Sequence, residues 1–160
     1  MFSSILVATD LSARSERALR RAFSLAEQHD AALTVLSIVD EDLPATSASR
    51  LKTEAEEELE RLCASISPRA ATLRVEIADP TQAIVAATED GGTDLLVMGT
   101  HRPRPVLDIF SGTTMERIVR AVSVPVLLVK DPVDHPYRFL LAGIDLSPSC
   151  AGALKAATAL

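Results

Sequence analysis

Short unbroken apolar runs alternate along this chain with longer stretches in which apolar residues return every three or four positions. ILVATD (Ile5–Asp10) is a continuous run of strand length, the pattern of a strand covered on both faces. From about Ser15 the spacing becomes helical, with Ala18, Leu19, Ala22, Leu25 and Ala26 on one stripe. ALTVLSIVD (Ala32–Asp40) predicts a second strand, and DLPATSAS a loop and helix entry. The next helix carries Leu51, Ala55, Leu59, Leu62 and Ile66 at helical spacing. Its other face holds Glu54, Glu56, Glu57, Glu58 and Glu60, which reads as a solvated face rather than a metal site. ATLRVEIA (Ala71–Ala78) alternates and predicts a third strand, at a sheet edge. Asp79 at the N-cap, Pro80 at the first helical position and Gln82 closing a capping box start a third helix. Gly91-Gly92 ends it. DLLVMG (Asp94–Gly99) predicts a fourth buried strand. Thr113 and Glu116 form another capping box before a stripe of Ile118, Val119 and Val122, and VPVLLVK (Val124–Lys130) predicts a fifth strand.

Five strands alternating with four helices predict an α/β fold. Its core is an open five-stranded parallel sheet with helices on both faces, doubly wound and Rossmann-like. Sheets of this kind take ligands beyond the carboxyl ends of their strands, where strand order reverses. Asp10, Asp40 and Gly99 lie at such ends.

The pattern then begins again. After DPVDHP (Asp131–Pro136), which reads as a linker, residues 137–160 align without a gap on residues 2–25 with 8 identities in 24 pairs. Asp145-Leu146-Ser147 falls on Asp10-Leu11-Ser12, and Leu6, Ala18, Leu19, Ala22 and Leu25 recur. Apolar residues coincide often by chance, so the Asp-Leu-Ser turn carries most of the weight. We read residues 1–130 as one domain and 137–160 as the start of a second copy, one strand and one helix long. A single such unit cannot bury both faces of its strand alone, so it is expected to pack on the first domain or on another chain.

Composition narrows the functional classes. The 160 residues are 48% hydrophobic, enough for a core and against disorder. A net charge of −6 without a basic face argues against duplex nucleic acid as a partner. Cys63 and Cys150 form no CxxC, and His29, His101 and His135 are not at metal-ligand spacing. Both fit a reducing cytoplasm without a resident metal. No secretory signal and no apolar run of the ~20 residues of a membrane span is visible.

The stretch MGTHRPRPVLDIFSGTTME (Met98–Glu116) joins a strand to a helix and carries the candidate chemistry. Gly99 follows a buried strand, and Gly112-Thr113-Thr114 offers free backbone N–H groups at a helix start, where an anion is favoured. Thr113 also suits the simpler role of capping its own helix. Together with a first strand ending in Asp10, with Ser12 two residues on, and a second ending in SIVD, this loop and VPVLLVK resemble the universal stress protein family. The family loop runs Gly, two residues, Gly, nine residues, Gly, then Ser or Thr. Here Gly99 and Gly112-Thr113 keep the spacing, and Arg102 stands where the second glycine belongs. The likeness covers residues 2–130, and 137–160 resembles the start of a second copy.

The resemblance implies an ATP-binding stress-response module, with Mg2+ only alongside the nucleotide. It places the adenine side at Ala8, Asp10 and Val39, and the phosphates at Met98, Gly99, Gly112, Thr113 and Thr114. It also implies a homodimer through the fifth strand, Pro125–Val129, or its mimic by a second tandem domain. Arg102 is the departure: its side chain either fills the cradle or reaches a phosphate as a bidentate donor. Pro103 and Pro105 remove two backbone donors from the loop. No nucleophile–base pair and no GxxxxGK[ST] motif is present, so at most slow ATP hydrolysis is expected. The alternative is an interaction module of the same fold that binds no nucleotide, its cradle blocked by Arg102. A looser likeness to a phospho-acceptor receiver uses Asp10, Asp79, Thr100 and Lys130, but Asp79-Pro80 is better explained as a helix cap.

Overall fold

The computed structural model describes residues 1–90, 92–100, 114–131, 135–145 and 148–160. Its elements run β1 (Ser4–Thr9), α1 (Ser15–His29), β2 (Ala32–Asp40), α2 (Ala45–Ile66), β3 (Thr72–Ala78) and α3 (Pro80–Asp90). They continue with β4 (Leu95–Gly99), α4 (Thr114–Ala121), β5 (Val126–Val129) and α5 (Pro148–Ala159). The strands form one parallel sheet in the order β3-β2-β1-β4-β5. The chain winds outward from β1 through β2 to β3, then returns to the other side of β1 for β4 and β5. Strand order therefore reverses between β1 and β4.

A central β1 explains its unbroken apolar run. Side chains alternate between the two sheet faces, and both faces are covered. Ile5 and Val7, each fully buried, join the cluster built with α1 and α2. Leu6 joins the cluster with Ile84 and Ala87 of α3 and Ile118 of α4. The predicted α1 stripe of Ala18, Leu19, Ala22, Leu25 and Ala26 is wholly buried. In α2, Leu59 and Cys63 are buried while Leu51, Ala55, Leu62 and Ile66 are partly covered. The acidic face of α2 is solvated and laced by Arg50–Glu54, Lys52–Glu56 and Arg61–Glu58 pairs.

Local signals behave as their chemistry requires. The Gln82 N–H donates to Asp79 Oδ1 at 2.8 Å, so Asp79 caps α3. Gly92 sits at φ +58°, the left-handed turn that follows a helix end; Gly91 lies outside the described residues. One reading is corrected: Val119 is 43% exposed, not part of the α4 stripe. Adjacent helical residues point about 100° apart, so Ile118 and Val122, four apart, face the core and Val119 turns away. Asp94, read only as the first residue of a strand, has a larger role. It accepts from Ser3 N (2.7 Å), Ser3 Oγ (2.8 Å) and Ser4 N (3.3 Å), locking the amino end of β1 to that of β4.

The tail differs from its sequence reading. Its helix forms as α5, but residues 137–145 adopt no strand. Only six residues separate them from the first domain, whereas a parallel crossover needs about a dozen. The segment cannot enter the sheet beside β5 in the parallel sense. Positions that are core in the first copy are bare here: Leu6 is 1% exposed and its counterpart Leu141 102%. Ala156, Ala159 and Leu160 of α5 rest against the cluster on the α1–α2 side.

Candidate functional site

The site is framed by strands of unequal reach. β1 stops at Thr9, which pairs with Ser37, while β2 continues for Ile38, Val39 and Asp40, paired only with β3. On the other side β4 extends to Gly99, beside Val129. Beyond the end of β1 there is thus a recess, walled by the β2 overhang and by Gly99–Thr100. It lies at the reversal of strand order, where ligands of such sheets bind. Ala32 N donates to Ser3 O, so the even-numbered residues of β2 turn their peptide groups toward β1 and the odd-numbered ones toward β3; in the overhang Ile38 and Asp40 therefore face the recess, whereas the Val39 peptide groups face β3.

The floor of the recess is the turn from β1 to α1. The Thr9 hydroxyl, 6% exposed, donates to Ser15 Oγ at 2.9 Å and accepts from Leu11 N at 3.1 Å. Ser15 Oγ in turn donates to Ser12 O at 3.0 Å. Asp10 Oδ1 accepts from Ser12 N at 3.0 Å, an Asx turn. This network holds Leu11 at φ +58°, a left-handed conformation unusual for a γ-branched residue. The β2 end repeats the device, with Asp42 N donating to Asp40 Oδ1 at 3.0 Å. Partial burial pushes the Asp10 pKa up, but the hydroxyls of Ser12 and Ser15 and the Ser12 N–H outweigh it and hold the carboxyl below its ordinary range. Asp10 is therefore a carboxylate at neutral pH, an acceptor suited to hydroxyl donors. Since this pKa is depressed on folding, its contribution to stability is present at neutral pH and fades as pH falls through the folded value.

Gly99 has a reason the sequence did not reveal. A Cβ there would stand 3.1 Å from Arg14 O and from Ser15 Cα, and 3.2 Å from Ser15 N. The first turn of α1 lies directly on this glycine. Its φ is not in the positive region, so close approach, rather than turn geometry, accounts for it. The floor and one wall of the recess are thereby locked together.

The structure brings Ala8, Asp10, Val39, Met98 and Gly99 to the strand ends, but not all with free side chains. Ala8 pairs with Leu36 and Met98 across the sheet. Val39 and Met98 are 8% and 5% exposed, so their side chains belong to the core, and their peptide groups face β3 and β5 rather than the recess. Asp10 is exposed, and Thr114 is the exposed first residue of α4. His101, Arg102, Pro103, Pro105, Gly112 and Thr113 lie outside the described residues. Thr9 and Ser15, which build the floor, were missed. The signal was the Thr-Asp-Leu-Ser stretch, whose hydroxyls and carboxylate favour local backbone bonds.

Of the other features, no group that could hold a metal ion occurs among the described residues, and none of their helices is long and apolar enough to cross a membrane. Asp79 is committed to its helix cap, away from any acceptor role. A cavity of about 320 Å³ lies at the opposite end of the sheet, lined by Phe23, Glu60, Cys63, Arg69 and Leu73 among others. Cys63 is a free, buried thiol whose pKa burial pushes up to about 11. In a Cys150→Ser variant, an aromatic disulfide reagent at pH 8 is expected to label Cys63 far more slowly in the native protein than in urea. Equal rates would contradict the burial. Because the folded pKa is raised, the thiol's contribution holds below about 9 and is lost as pH climbs to about 11.

Comparison with known proteins agrees with this architecture. Universal stress protein MJ0531 of Methanocaldococcus jannaschii is 29% identical over 143 residues, covering 82% of this chain and 84% of its own. The solved structure of MJ0577 superposes with a TM-score of 0.67 at 24% identity, covering 82% of this chain and 97% of its own. The universal stress protein of Archaeoglobus fulgidus in complex with dAMP gives 0.59 at 21% identity, covering 79% and 96%. Another universal stress protein, in complex with cAMP, gives 0.61 at 21%, covering 80% and 97%. Residues 1–130 match the model of the universal stress protein family, and with the strand order and the recess at its reversal this chain belongs to that family.

Proposed function

We propose that the recess beyond β1 binds an adenine nucleotide, and that the domain serves as a stress-response binding module rather than a fast enzyme. The observation that carries this reading is the recess itself, bordered by the β1-facing peptide groups of the β2 overhang at Ile38 and Asp40, a carboxylate at Asp10 and a close-packed Gly99. The overhang's peptide groups at Ile38 and Asp40, flanking Val39, suit a purine edge, Asp10 suits ribose hydroxyls, and Gly99 leads into the loop toward Gly112-Thr113-Thr114. A phosphate there would face the N–H groups at the start of α4. Relatives of the same fold in complex with dAMP and cAMP support the nucleotide class, and both carry a single phosphate. ATP with Mg2+ would demand more of a loop that has lost two donors to Pro103 and Pro105.

That loss favours a second reading, in which Arg102 occupies the cradle. Calorimetric titration with AMP and with ATP–Mg2+, on wild type and Arg102→Gly, separates the two. A roughly tenfold or greater loss in the variant assigns Arg102 to the phosphate, the size expected of one charge-assisted contact. A gain of that size assigns it to blocking. No heat with either ligand, for either protein, would overturn nucleotide binding.

We further propose that residues 1–130 form one domain, and 137–160 the first unit of a second, with its helix formed and its strand-like segment unpaired. The repeat and the bare Leu141 support this. β5 is the sheet edge, with Leu128 39% exposed, and Pro125–Val129 suits pairing between copies. Free thiols at Cys63 and Cys150 suit a reducing cytoplasm.

A further inference from the structure

The segment after β5 reads as a linker, yet it is held at several points by one helix. Arg17 Nη1 donates to Lys130 O at 2.8 Å. Arg21 Nη2 donates to His135 O at 3.1 Å. The Arg21 guanidinium carbon also stands 4.6 Å from the centre of the Tyr137 ring. Arg17 and Arg21 are one turn apart on α1, so both project from the same side of the helix. Lys130, and further along the chain His135 and Tyr137, thus lie against α1.

Arg21 is the unusual member. It is 3% exposed, although arginine is seldom buried so deeply without compensation. A carbonyl oxygen and an aromatic face are two groups that stabilise a desolvated guanidinium. Both come from the strap, at His135 and Tyr137. The first copy's position 21 corresponds to Ala156 in the tail, so the repeat does not require arginine here. Arg21 is best explained by what lies across it.

We propose that Arg17 and Arg21 make α1 a docking surface for the chain that leaves the domain, so that Lys130 and residues 135–137 are fixed points of a strap rather than parts of a free linker. This rests on the two-unit reading of the chain and adds to it a defined placement. The second unit is set against the α1 side of the first domain, leaving the β5 edge open. The strap docks on the helix whose first turn packs against Gly99, so the second unit and the nucleotide recess share one rigid element.

Tyr137 is the sole tyrosine and there is no tryptophan, so intrinsic fluorescence reports this contact alone. In the full chain, Tyr137 emission is expected to tumble with the whole domain in time-resolved anisotropy. Arg21→Met is expected to release it to the fast motion of a free segment. Should Arg21→Met fail to fold, exchange of the backbone amides of His135, residue 137 and Arg138 in Tyr137→Leu and Tyr137→Phe carries the test. Leucine keeps the apolar bulk without the aromatic face, so exchange should rise roughly fivefold to thirtyfold, while phenylalanine stays close to wild type. Fast anisotropy decay in the wild type, or equal exchange in Tyr137→Leu and Tyr137→Phe, would overturn the strap. Neither readout involves nucleotide, so failure of the strap is separable from failure of the binding site.

Discussion

Gly99→Val is expected to destabilise the domain by about 1–3 kcal/mol and to abolish nucleotide binding with it. The new side chain begins 3.1 Å from Arg14 O and Ser15 Cα, closer than a relaxed contact allows. Those atoms are backbone, so relief requires moving the first turn of α1 rather than rotating a side chain. That turn holds Ser15, which bonds the Thr9 hydroxyl and so supports the floor of the recess. Gly99→Ala should show the same effects at smaller size, since a single methyl needs a shift of only a few tenths of an ångström. Urea unfolding gives the stability term and AMP titration the binding term. A valine variant with wild-type midpoint and affinity would show that α1 does not bear on Gly99.

Thr9→Val is expected to cost about 1–3 kcal/mol despite nearly equal volume. The hydroxyl is buried and serves two partners: it donates to Ser15 Oγ and accepts from Leu11 N. Valine leaves the Leu11 N–H without its acceptor in a left-handed turn that already costs energy. The unmade bonds, not lost packing, set the size of the effect. Thr9→Ser keeps the hydroxyl and should recover most of the stability, which separates the two causes. The Asx turn at Asp10 follows directly, so Thr9→Val should also weaken AMP binding more than Thr9→Ser does. If serine and valine destabilise equally, the loss lies in the methyl group and the hydrogen-bonded floor is not what supports the turn.

The strap and the recess invite one joint reading. α1 begins at the recess, through Ser15 and Gly99, and within its first two turns holds the departing chain through Arg17 and Arg21. Any ligand that shifts the first turn of α1 therefore acts on the same rigid body that carries the strap. Whatever coupling exists must be reciprocal: strap variants alter ligand affinity by the factor by which ligand alters strap docking.

The order of elements, the doubly wound class and most of the core were legible in the residues. Ile5–Val7 could be buried on both faces because their run is unbroken, and the α1 stripe because five apolar residues share one side. Asp79-Pro80 announced a helix start through local chemistry alone. These features depend on neighbours within a turn or on periodicity, and a sequence displays both directly. Val119 was misread because apolar character was counted without its angle about the helix. Tertiary structure alone decided the rest. The β2 overhang exists only because β1 stops first in the pairing register. Gly99 is required by a helix turn some 85 positions earlier in the chain, which strand-end reasoning could not supply. The burial of Arg21 depends on His135 and Tyr137, more than a hundred residues later, which no local pattern announces. The 137–145 run carries the apolar pattern of a strand, yet a strand also needs a partner edge it can reach, and the seven residues between β5 and this run are too few to reach one in the parallel sense. Pattern determines what a segment can become; contact across the fold determines which of those possibilities is realised.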